Sequence, residues 1–388
     1  MATMELSKLH KSFISLTLFM ACGILSIFTL LENSNKLVHN WKGSKLSGYD
    51  GDRHLITSDV SQKAPHTRKV LVLTYMRSGS TLLGDILQHH SNSFYAFEPL
   101  RYIDEDVNKG KNISFFNGTT RYLNISDVTT IHAEMVYRWL TCDFDNINIK
   151  DIQSRFIGTF SHNLSKYAKC LKTQLLSINI CITILRNQCH NATVRIVKTI
   201  RMKMESAIML MKWLPELRII HLLRDPRGKM ASELGARMSA VLSFVGFATR
   251  TCEGITTDTR VTDYLRTLYP NRIRVLLYEK LATTPIETTK NIYNFLNMEF
   301  SNSTIGLVRE FTQSGGSDDC TWCTKRTNSR SRAYLWRSTI DLGLVALIDR
   351  QCYFLYRKVG YISIFPPEEI RNVAKPLIAQ TSFTNGAL

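Results

Sequence analysis

The chain has 388 residues, enough for one large domain or two smaller ones, and its 44% apolar content allows a packed core. The formal net charge of +17 indicates acidic partners, such as a phosphorylated cofactor, an anionic glycan or membrane headgroups. No dense run of lysine and arginine is present, which argues against nucleic acid as the partner.

An uncharged apolar segment covers residues 13–31 and is long enough to cross a bilayer as a helix. Lys8 and Lys11 precede this segment, and Glu32 follows it. The positive-inside rule therefore keeps residues 1–12 in the cytosol and puts the rest of the chain on the far side of the membrane. We expect a retained signal anchor. The alternative is a cleaved signal peptide, whose apolar region is usually shorter.

The part of the chain that follows the apolar segment has the features of a secretory-pathway protein. Residues 32–68 lack periodicity and are rich in Ser, Asn, Lys, Asp and Gly, which predicts a flexible stem. A luminal globular domain over residues 69–388 should follow. Six N-x-[ST] sequons support a luminal location. They are Asn112, Asn117, Asn124, Asn163, Asn191 and Asn302.

Eight cysteines lie beyond Cys22 of the apolar segment, and an even number in an oxidising lumen predicts disulfides. Their pairing cannot be derived from the sequence. Cys320 and Cys323 form a CxxC that could instead be half of a zinc site. Because no second pair accompanies it, we predict no metal site.

The domain shows four apolar, β-branched runs, each followed by a helical pattern. The predicted strands cover residues 69–75, 194–200, 217–223 and 272–281. The predicted helices cover residues 80–90, 203–213 and 285–296, and one more begins near 226. This alternation predicts an α/β fold, a P-loop-like parallel sheet flanked by helices, which binds ligands at the carboxyl ends of its strands. Residues 101–190 look like an insertion or a mainly helical cap, and residues 338–359 look like one late amphipathic helix.

The first predicted strand runs into Arg77-Ser78-Gly79-Ser80-Thr81 and then a helix, which is how an anion-binding loop is built. Gly79 permits a tight turn and the approach of backbone N–H groups, and the helix start adds a favourable dipole. Arg77 can add a fixed positive charge. The alternative is an ordinary Ser/Gly turn that caps a helix.

A second segment, "HLLRDPRGKMASELGAR", also follows an apolar strand. Arg224 lies just before the helix that Pro226 opens, and Ser232 lies on that helix. The long arginine side chain can fold towards Ser232, so the two residues can hold a second phosphate. The alternative is that Arg224 only pairs with Asp225 at a helix start.

Together, "RSGST" and "RDPRGKMAS" resemble the Golgi carbohydrate sulfotransferases, in particular the branch that sulfates the 6-hydroxyl of galactose, N-acetylglucosamine or N-acetylgalactosamine. "FYAFEPL" (94–100), "VKTIR" (197–201), "YEKLATTP" (278–285) and "TKRTNS" (324–329) add to this resemblance. It covers most of the chain beyond the stem. Thr81 and Leu82 depart from the Ser-Phe of many relatives, although Thr81 keeps a hydroxyl.

The resemblance implies a sulfotransferase fold, a Golgi membrane location and the co-substrate 3′-phosphoadenosine 5′-phosphosulfate, without a metal. The first loop would hold the 5′-phosphosulfate, and Arg224 with Ser232 would hold the 3′-phosphate. The implied loop residues are Arg77, Ser78, Gly79, Ser80, Thr81, Leu82 and Leu83.

Sulfuryl transfer needs a base for the acceptor hydroxyl, and Glu98 in Phe97-Glu98-Pro99 is the candidate. Arg77 would stabilise the charge on the leaving oxygen. Glu98 could instead only orient Arg77 or a nearby amide. His89 and His90 are rival bases, but the helix should carry them away from the loop. Arg201 and Arg326 could contact cofactor or glycan, or could be ordinary surface residues.

Two other functions stay open from the sequence. A P-loop kinase or NTPase is disfavoured because no lysine follows the loop glycine. An inactive glycan-binding protein is disfavoured because both anion segments are intact. The acceptor could be an acidic or neutral glycan, namely keratan, chondroitin or an N- or O-linked chain, and the sequence does not choose among them.

Overall fold

The computed structural model describes residues 67–154, 156–173, 177–237, 244–314 and 324–388. The predicted signal anchor, nearly all of the predicted stem and the Cys320–Cys323 pair lie outside these ranges. Within these ranges, no helix combines the length and the apolar character that a membrane span requires.

A five-stranded, fully parallel sheet forms the centre of the fold, with strand order β2-β5-β1-β6-β7. Its strands are β1 Arg68–Leu73, β2 Ser93–Phe97, β5 Val194–Thr199, β6 Leu217–Leu223 and β7 Ile273–Leu277. A short antiparallel hairpin, β3 Ile113–Ser114 and β4 Thr120–Arg121, lies apart from it. The predicted parallel sheet is confirmed. Because all five strands run the same way, the loops that follow them emerge at one edge.

The helices alternate with the strands. The first eight are α1 Ser80–Gln88, α2 Arg101–Asn108, α3 Val128–Thr141, α4 Ile149–Ile152, α5 Ile157–Phe160, α6 Ser165–Lys172, α7 Ile178–His190 and α8 Met204–Trp213. The next five are α9 Pro226–Arg237, α10 Phe244–Leu268, α11 Tyr278–Thr283, α12 Pro285–Leu296 and α13 Asn302–Gln313. The last four are α14 Ser329–Tyr334, α15 Trp336–Thr339, α16 Leu342–Gln351 and α17 Tyr353–Val359.

Strand β1 is buried on both faces, which explains its continuous apolar sequence. Leu71 and Leu73 pack with α3 and α8 on one face, whereas Val70 and Val72 pack with α1, α12 and α13 on the other. Each fully buried leucine or valine of this kind stabilises the fold by about 1.5–3 kcal/mol. A polar residue at Leu71 would therefore disrupt the central strand.

The helical insertion, residues 101–190, contains α2 to α7 and the small hairpin. Two disulfides lie inside it, Cys142–Cys189 and Cys170–Cys181. A third, Cys252–Cys352, joins α10 to the residue between α16 and α17. The predicted disulfides are thus confirmed for six cysteines.

The structure differs from the sequence-based expectation at three places. Strand β2 was not predicted, because it is short and follows directly on a polar turn. The strand predicted to end at residue 281 stops at Leu277, where helix α11 begins. The single helix predicted over residues 338–359 is broken: Asp341 accepts a hydrogen bond from the Leu344 N–H and so caps α16, and Cys352 separates α16 from α17.

Candidate active site

The carboxyl ends of the strands open into a cavity of about 510 Å³. The segments that follow all five strands line it, together with residues of the insertion and of α14. Of the described residues, its charged lining consists of Arg77, Arg101, Lys198, Arg201, Arg224, Arg326, Arg332 and one carboxylate, Glu98. Such an excess of cations in a concave site creates a strongly positive potential, which suits an anionic ligand.

The loop between β1 and α1 is tightly packed at Gly79, which has a left-handed φ of 79°. A Cβ atom there would lie 2.1 Å from Cδ2 of Tyr278, so only glycine fits. Arg77 is also left-handed, with φ of 63°. A non-glycine residue in this region costs about 1 kcal/mol or more and is typical of functional sites.

The start of α1 presents donors to the cavity. The first N–H groups of any helix have no acceptor within it, and Ser80, Thr81 and Leu82 line the cavity. Ser78 is buried, and its hydroxyl has no hydrogen-bond partner among the described residues. Leu83 lies in the core instead, and its N–H donates to the Gly79 carbonyl over 3.3 Å.

Arg224, at the end of β6, lies against the first loop. Its Nη1 donates to the Arg77 carbonyl over 2.7 Å, and its guanidinium lies 4.6 Å from the centre of the Tyr278 ring. Within the described part of the chain, its buried Nε has no hydrogen-bond partner. Together with the Ser78 hydroxyl, this orphaned donor fits a site that takes an anion.

The two predicted anion-binding segments meet in the structure. Arg77 Nε donates to Ser232 Oγ over 2.9 Å, so the arginine of the first loop contacts the serine of α9. Burial, then the charges of Arg224 and Arg326, lower the pKa of Arg77. Three guanidinium groups thus share one region, an arrangement that a bound anion would relieve.

Glu98 follows β2 and bridges two cations. Its Oε1 accepts from Lys198 Nζ over 2.7 Å, and its Oε2 accepts from Arg201 Nη1 over 2.5 Å. Its φ of 47° is left-handed. Burial raises the pKa of Glu98, but the charges and hydrogen bonds of Lys198 and Arg201 outweigh burial and lower this pKa below its ordinary value. Glu98 is therefore ionised near neutral pH.

Several cavity residues were not identified from the sequence. Lys198 is nearly fully buried, and its ammonium lies 3.9 Å from the centre of the Phe97 ring. Phe156 and Phe160 of the insertion pack against Phe97, and the Arg101 guanidinium lies 4.3 Å from the Phe156 ring centre. A lysine in an apolar strand was the one available signal, whereas nothing in the sequence indicated which insertion residues would reach the cavity.

His89 and His90 lie beyond the far end of α1 and do not line the cavity. Nδ1 of His90 lies 2.8 Å from the Ser91 carbonyl, and its ring packs against Tyr293. The expectation that the helix carries both away from the loop is confirmed.

Five of the six sequon asparagines are exposed. They are Asn112, Asn117, Asn124, Asn191 and Asn302. Asn163 differs, because its Nδ2 donates to the Ser93 carbonyl over 2.5 Å and its Oδ1 is buried. Its side chain is already engaged in the fold.

The chain is similar to known proteins over most of its length. Residues 69–302 match the family model described as "Sulfotransferase family". The chain is 22% identical to carbohydrate sulfotransferase 1 of Danio rerio, over 81% of this chain and 82% of that protein. It is 21% identical to human carbohydrate sulfotransferase 6, over 80% and 84%. It is 20% identical to carbohydrate sulfotransferase 3 of Tetronarce californica, over 92% and 86%.

Solved structures show weaker similarity. The sulfotransferase domain of the Synechococcus PCC 7002 olefin synthase aligns with a TM-score of 0.39 and 16% identity, over 76% of this chain and 98% of that chain. Retinol dehydratase in complex with androsterone and inactive cofactor PAP aligns with a TM-score of 0.38 and 13% identity, over 75% and 81%. At these TM-scores the structural similarity adds nothing to the family match.

Proposed function

This chain belongs to the sulfotransferase family, and we propose that it transfers a sulfuryl group from 3′-phosphoadenosine 5′-phosphosulfate to the 6-hydroxyl of a glycan sugar. That sugar is galactose, N-acetylglucosamine or N-acetylgalactosamine. One observation carries the proposal: a single cavity collects two touching anion-binding segments and a carboxylate. The curated relatives described above, which are carbohydrate sulfotransferases, support a glycan acceptor.

In this proposal the two segments divide the donor between them. The Arg77–Leu82 loop and the start of α1 hold the phosphosulfate, and Arg224 with Ser232 holds the 3′-phosphate. When bound, the donor supplies the sulfuryl group. The unpartnered Arg224 Nε and Ser78 hydroxyl, together with the absence of a side chain at Gly79, support this assignment.

Arg77 and the N–H groups of its loop stabilise the negative charge that grows on the leaving phosphate oxygen. Groups fixed before reaction are effective because they do not reorganise as the charge develops. Glu98 takes the proton of the acceptor hydroxyl. The pairs with Lys198 and Arg201 keep Glu98 ionised and hold it at the cavity wall.

In this proposal the insertion binds the acceptor sugar. Phe97, Phe156 and Phe160 form an aromatic surface beside Glu98, on which a sugar ring can lie. Arg101 stands next to this surface. The excess of cavity cations favours an acidic chain, such as keratan or chondroitin, over a neutral one.

The proposed location is the Golgi membrane, as a single-pass type II protein with the domain in the lumen. The uncharged segment at residues 13–31, three disulfides and five exposed sequons support it.

The full chain, purified in detergent, should be incubated with radiolabelled sulfate donor and a panel of desulfated glycans. We expect label on the 6-hydroxyl of one sugar type. Label on another hydroxyl would contradict the regiochemistry, and glycan binding without label would indicate an inactive glycan-binding protein. Phosphate transfer from ATP would instead favour a kinase.

The base assignment has its own test. We expect Glu98→Gln to abolish transfer while adenosine 3′,5′-bisphosphate still binds, since the nucleotide contacts lie on the other segments. Because the pKa of Glu98 is below its ordinary value of 4.5, wild-type kcat should fall only below about pH 4.5. If Glu98→Gln turns over at the wild-type rate, Glu98 is not the base and only orients Lys198.

A further inference from the structure

A chain of buried polar groups lies behind the first loop, outside the cavity lining. Tyr75, which leads from β1 into the loop, has its hydroxyl 2.8 Å from Asp258 Oδ2 and 3.0 Å from His221 Nε2. His221 Nδ1 lies 2.8 Å from Thr262 Oγ1, and that hydroxyl lies 2.9 Å from the Asp258 carbonyl. The side chains of β1, β6 and α10 are thereby joined.

Asp258 also holds a second cavity segment. Its Oδ1 accepts from the Met204 N–H over 2.8 Å, at the start of α8. The segment just before Met204 carries Arg201, a partner of Glu98. On the other side, the Tyr75 carbonyl accepts from the Ser78 N–H over 3.3 Å within the first loop. One carboxylate thus connects the loop that carries Arg77 with the segment that carries Arg201.

The chain stays hydrogen-bonded whether or not Asp258 carries a proton. With neutral Asp258, its Oδ2–H donates to Tyr75, Tyr75 to His221 Nε2, His221 Nδ1–H to Thr262, and Thr262 to the Asp258 carbonyl. When Asp258 releases its proton, Tyr75 donates to Asp258, His221 Nε2–H to Tyr75, and Thr262 to His221 Nδ1. The Asp258 proton leaves to solvent, the Tyr75 and Thr262 hydroxyls each turn to a new acceptor, and His221 exchanges its proton on Nδ1 for one on Nε2.

In both states the Tyr75 hydroxyl has two partners, one as donor and one as acceptor. His221 changes only its tautomer and stays uncharged, and Thr262 rotates its hydroxyl. The oxygen of Tyr75 therefore need not move when Asp258 ionises. A carboxylic acid that donates to a carbonyl oxygen lacks this property, because ionisation turns the donated hydrogen bond into a repulsion between lone pairs.

We propose that Tyr75 and Asp258, through His221, are positioning residues that fix the first anion loop and stay hydrogen-bonded in either protonation state. This inference rests on the proposed function, because it assigns the loop to the nucleotide donor. Neither residue touches the donor. They act through Arg77 and the loop N–H groups.

The protonation change falls in an accessible range. Burial raises the pKa of Asp258 to about 6, although the Met204 N–H and the Tyr75 hydroxyl oppose this. Lys203 lowers and Glu205 raises the same pKa. Burial, and then the charge of Arg266, lower the pKa of His221 to about 3, so its ring stays neutral when Asp258 titrates.

The test compares Tyr75→Phe with Tyr293→Phe in the full chain. Each variant loses a hydroxyl with a 2.8 Å hydrogen bond, that of Tyr293 being to the Ile86 carbonyl of α1, and Tyr75→Phe also loses the contact with His221. Both should lower Tm. Only Tyr75→Phe should weaken adenosine 3′,5′-bisphosphate binding in calorimetry and raise the donor KM, by about tenfold, with the acceptor KM unchanged.

Two substitutions of Asp258 provide a second test, one that keeps its hydrogen bonds and one that removes them. Asparagine can accept from the Met204 N–H and donate to Tyr75, so Asp258→Asn should bind nucleotide within about twofold of wild type. Asp258→Ala removes both bonds and should lose about tenfold. In ¹⁵N spectra of labelled histidine, wild-type His221 should change from the Nδ1–H to the Nε2–H tautomer near pH 6, and Asp258→Asn should keep Nδ1–H throughout.

Wild-type nucleotide affinity in Tyr75→Phe, or equal loss in Asp258→Asn and Asp258→Ala, would overturn the inference. A His221 tautomer that does not change with pH would overturn the proton shift. These failures differ from failure of the proposed function, in which the wild-type chain itself binds no adenosine 3′,5′-bisphosphate.

Discussion

The carboxyl edge of the sheet and the helical insertion face the same cavity, but they contribute different chemistry. The sheet edge contributes Arg77, Arg224 and the N–H groups of α1, all fixed by strand ends and a glycine turn. The insertion contributes Phe156, Phe160 and Arg101, from short helices. The sheet edge provides a rigid site for a constant ligand, the donor. The insertion provides a surface that can vary with the acceptor.

The largest difference that we expect between the two regions is in how much their disulfides add to the free energy of unfolding. Removing Cys252–Cys352 opens a loop of 100 residues across the sheet side, whereas removing Cys170–Cys181 opens one of 11 residues within the insertion. By loop-closure entropy, we expect losses of about 5 and about 3 kcal/mol in the free energy of unfolding. Denaturant unfolding of the two Cys→Ser pairs measures both.

This disulfide comparison also has an activity readout. At a temperature where both variants stay folded, the Cys170/Cys181 variant should raise the acceptor KM and leave the donor KM alone. An altered donor KM in that variant would show that the insertion and the donor site are not separate.

Arg77→Ala should remove the main positive charge that stabilises the leaving phosphate oxygen. We expect kcat to fall about 10²–10³-fold, by the same factor for every acceptor, because the lost contact is to the donor. Steady-state kinetics with two different glycans measures this. A loss that depends on the glycan would place Arg77 on the acceptor side.

Arg101→Ala is the matched change in the insertion. Because Arg101 is partly exposed to solvent, we expect only about a three- to tenfold rise in the acceptor KM, larger for a charged glycan than for its desulfated form, and weaker at high salt. The donor KM should not change. Equal effects on charged and desulfated glycans would remove Arg101 from acceptor selection.

Glycan occupancy should show the smallest effect. We expect Asn163 to stay unmodified because its Nδ2 is hydrogen-bonded to the Ser93 carbonyl, while exposed Asn112 and Asn124 carry glycans. Mass spectrometry of the detergent-purified protein measures occupancy, and Asn112→Gln should leave kcat within about twofold. A glycan on Asn163 would show that this residue is modified before its hydrogen bond to Ser93 forms.

The sheet side could be predicted because its signals are local. β1, β5 and β6 are continuous apolar runs, and Gly79 and Pro226 mark the turns and helix starts that follow. The sequence predicted that the segments of Arg77 and Ser232 would meet at one edge of the sheet, but not that the two side chains would touch. The left-handed backbone of Glu98 could not be predicted, because no local pattern requires it.

The insertion side could not be predicted, because its geometry depends on tertiary packing. Phe156 and Phe160 look like any core aromatic until the fold brings them to Phe97. Two residues of the sheet side were missed for the same reason. Lys198 is polar within an apolar strand, but its role depends on Glu98, one hundred residues earlier in the chain. Tyr278 was included in a strand, whereas it begins the helix that closes over Gly79.

The bond between Arg77 and Ser232 makes the two ends of the nucleotide interdependent. The serine oxygen accepts from Arg77, and its hydroxyl hydrogen can donate to a 3′-phosphate at the same time. A bound 3′-phosphate therefore fixes the hydroxyl that holds the guanidinium in place, whereas a nucleotide without that phosphate, such as adenosine 5′-phosphosulfate, leaves this hydroxyl free to turn. We therefore expect the enzyme to discriminate against incomplete donors in turnover as well as in affinity.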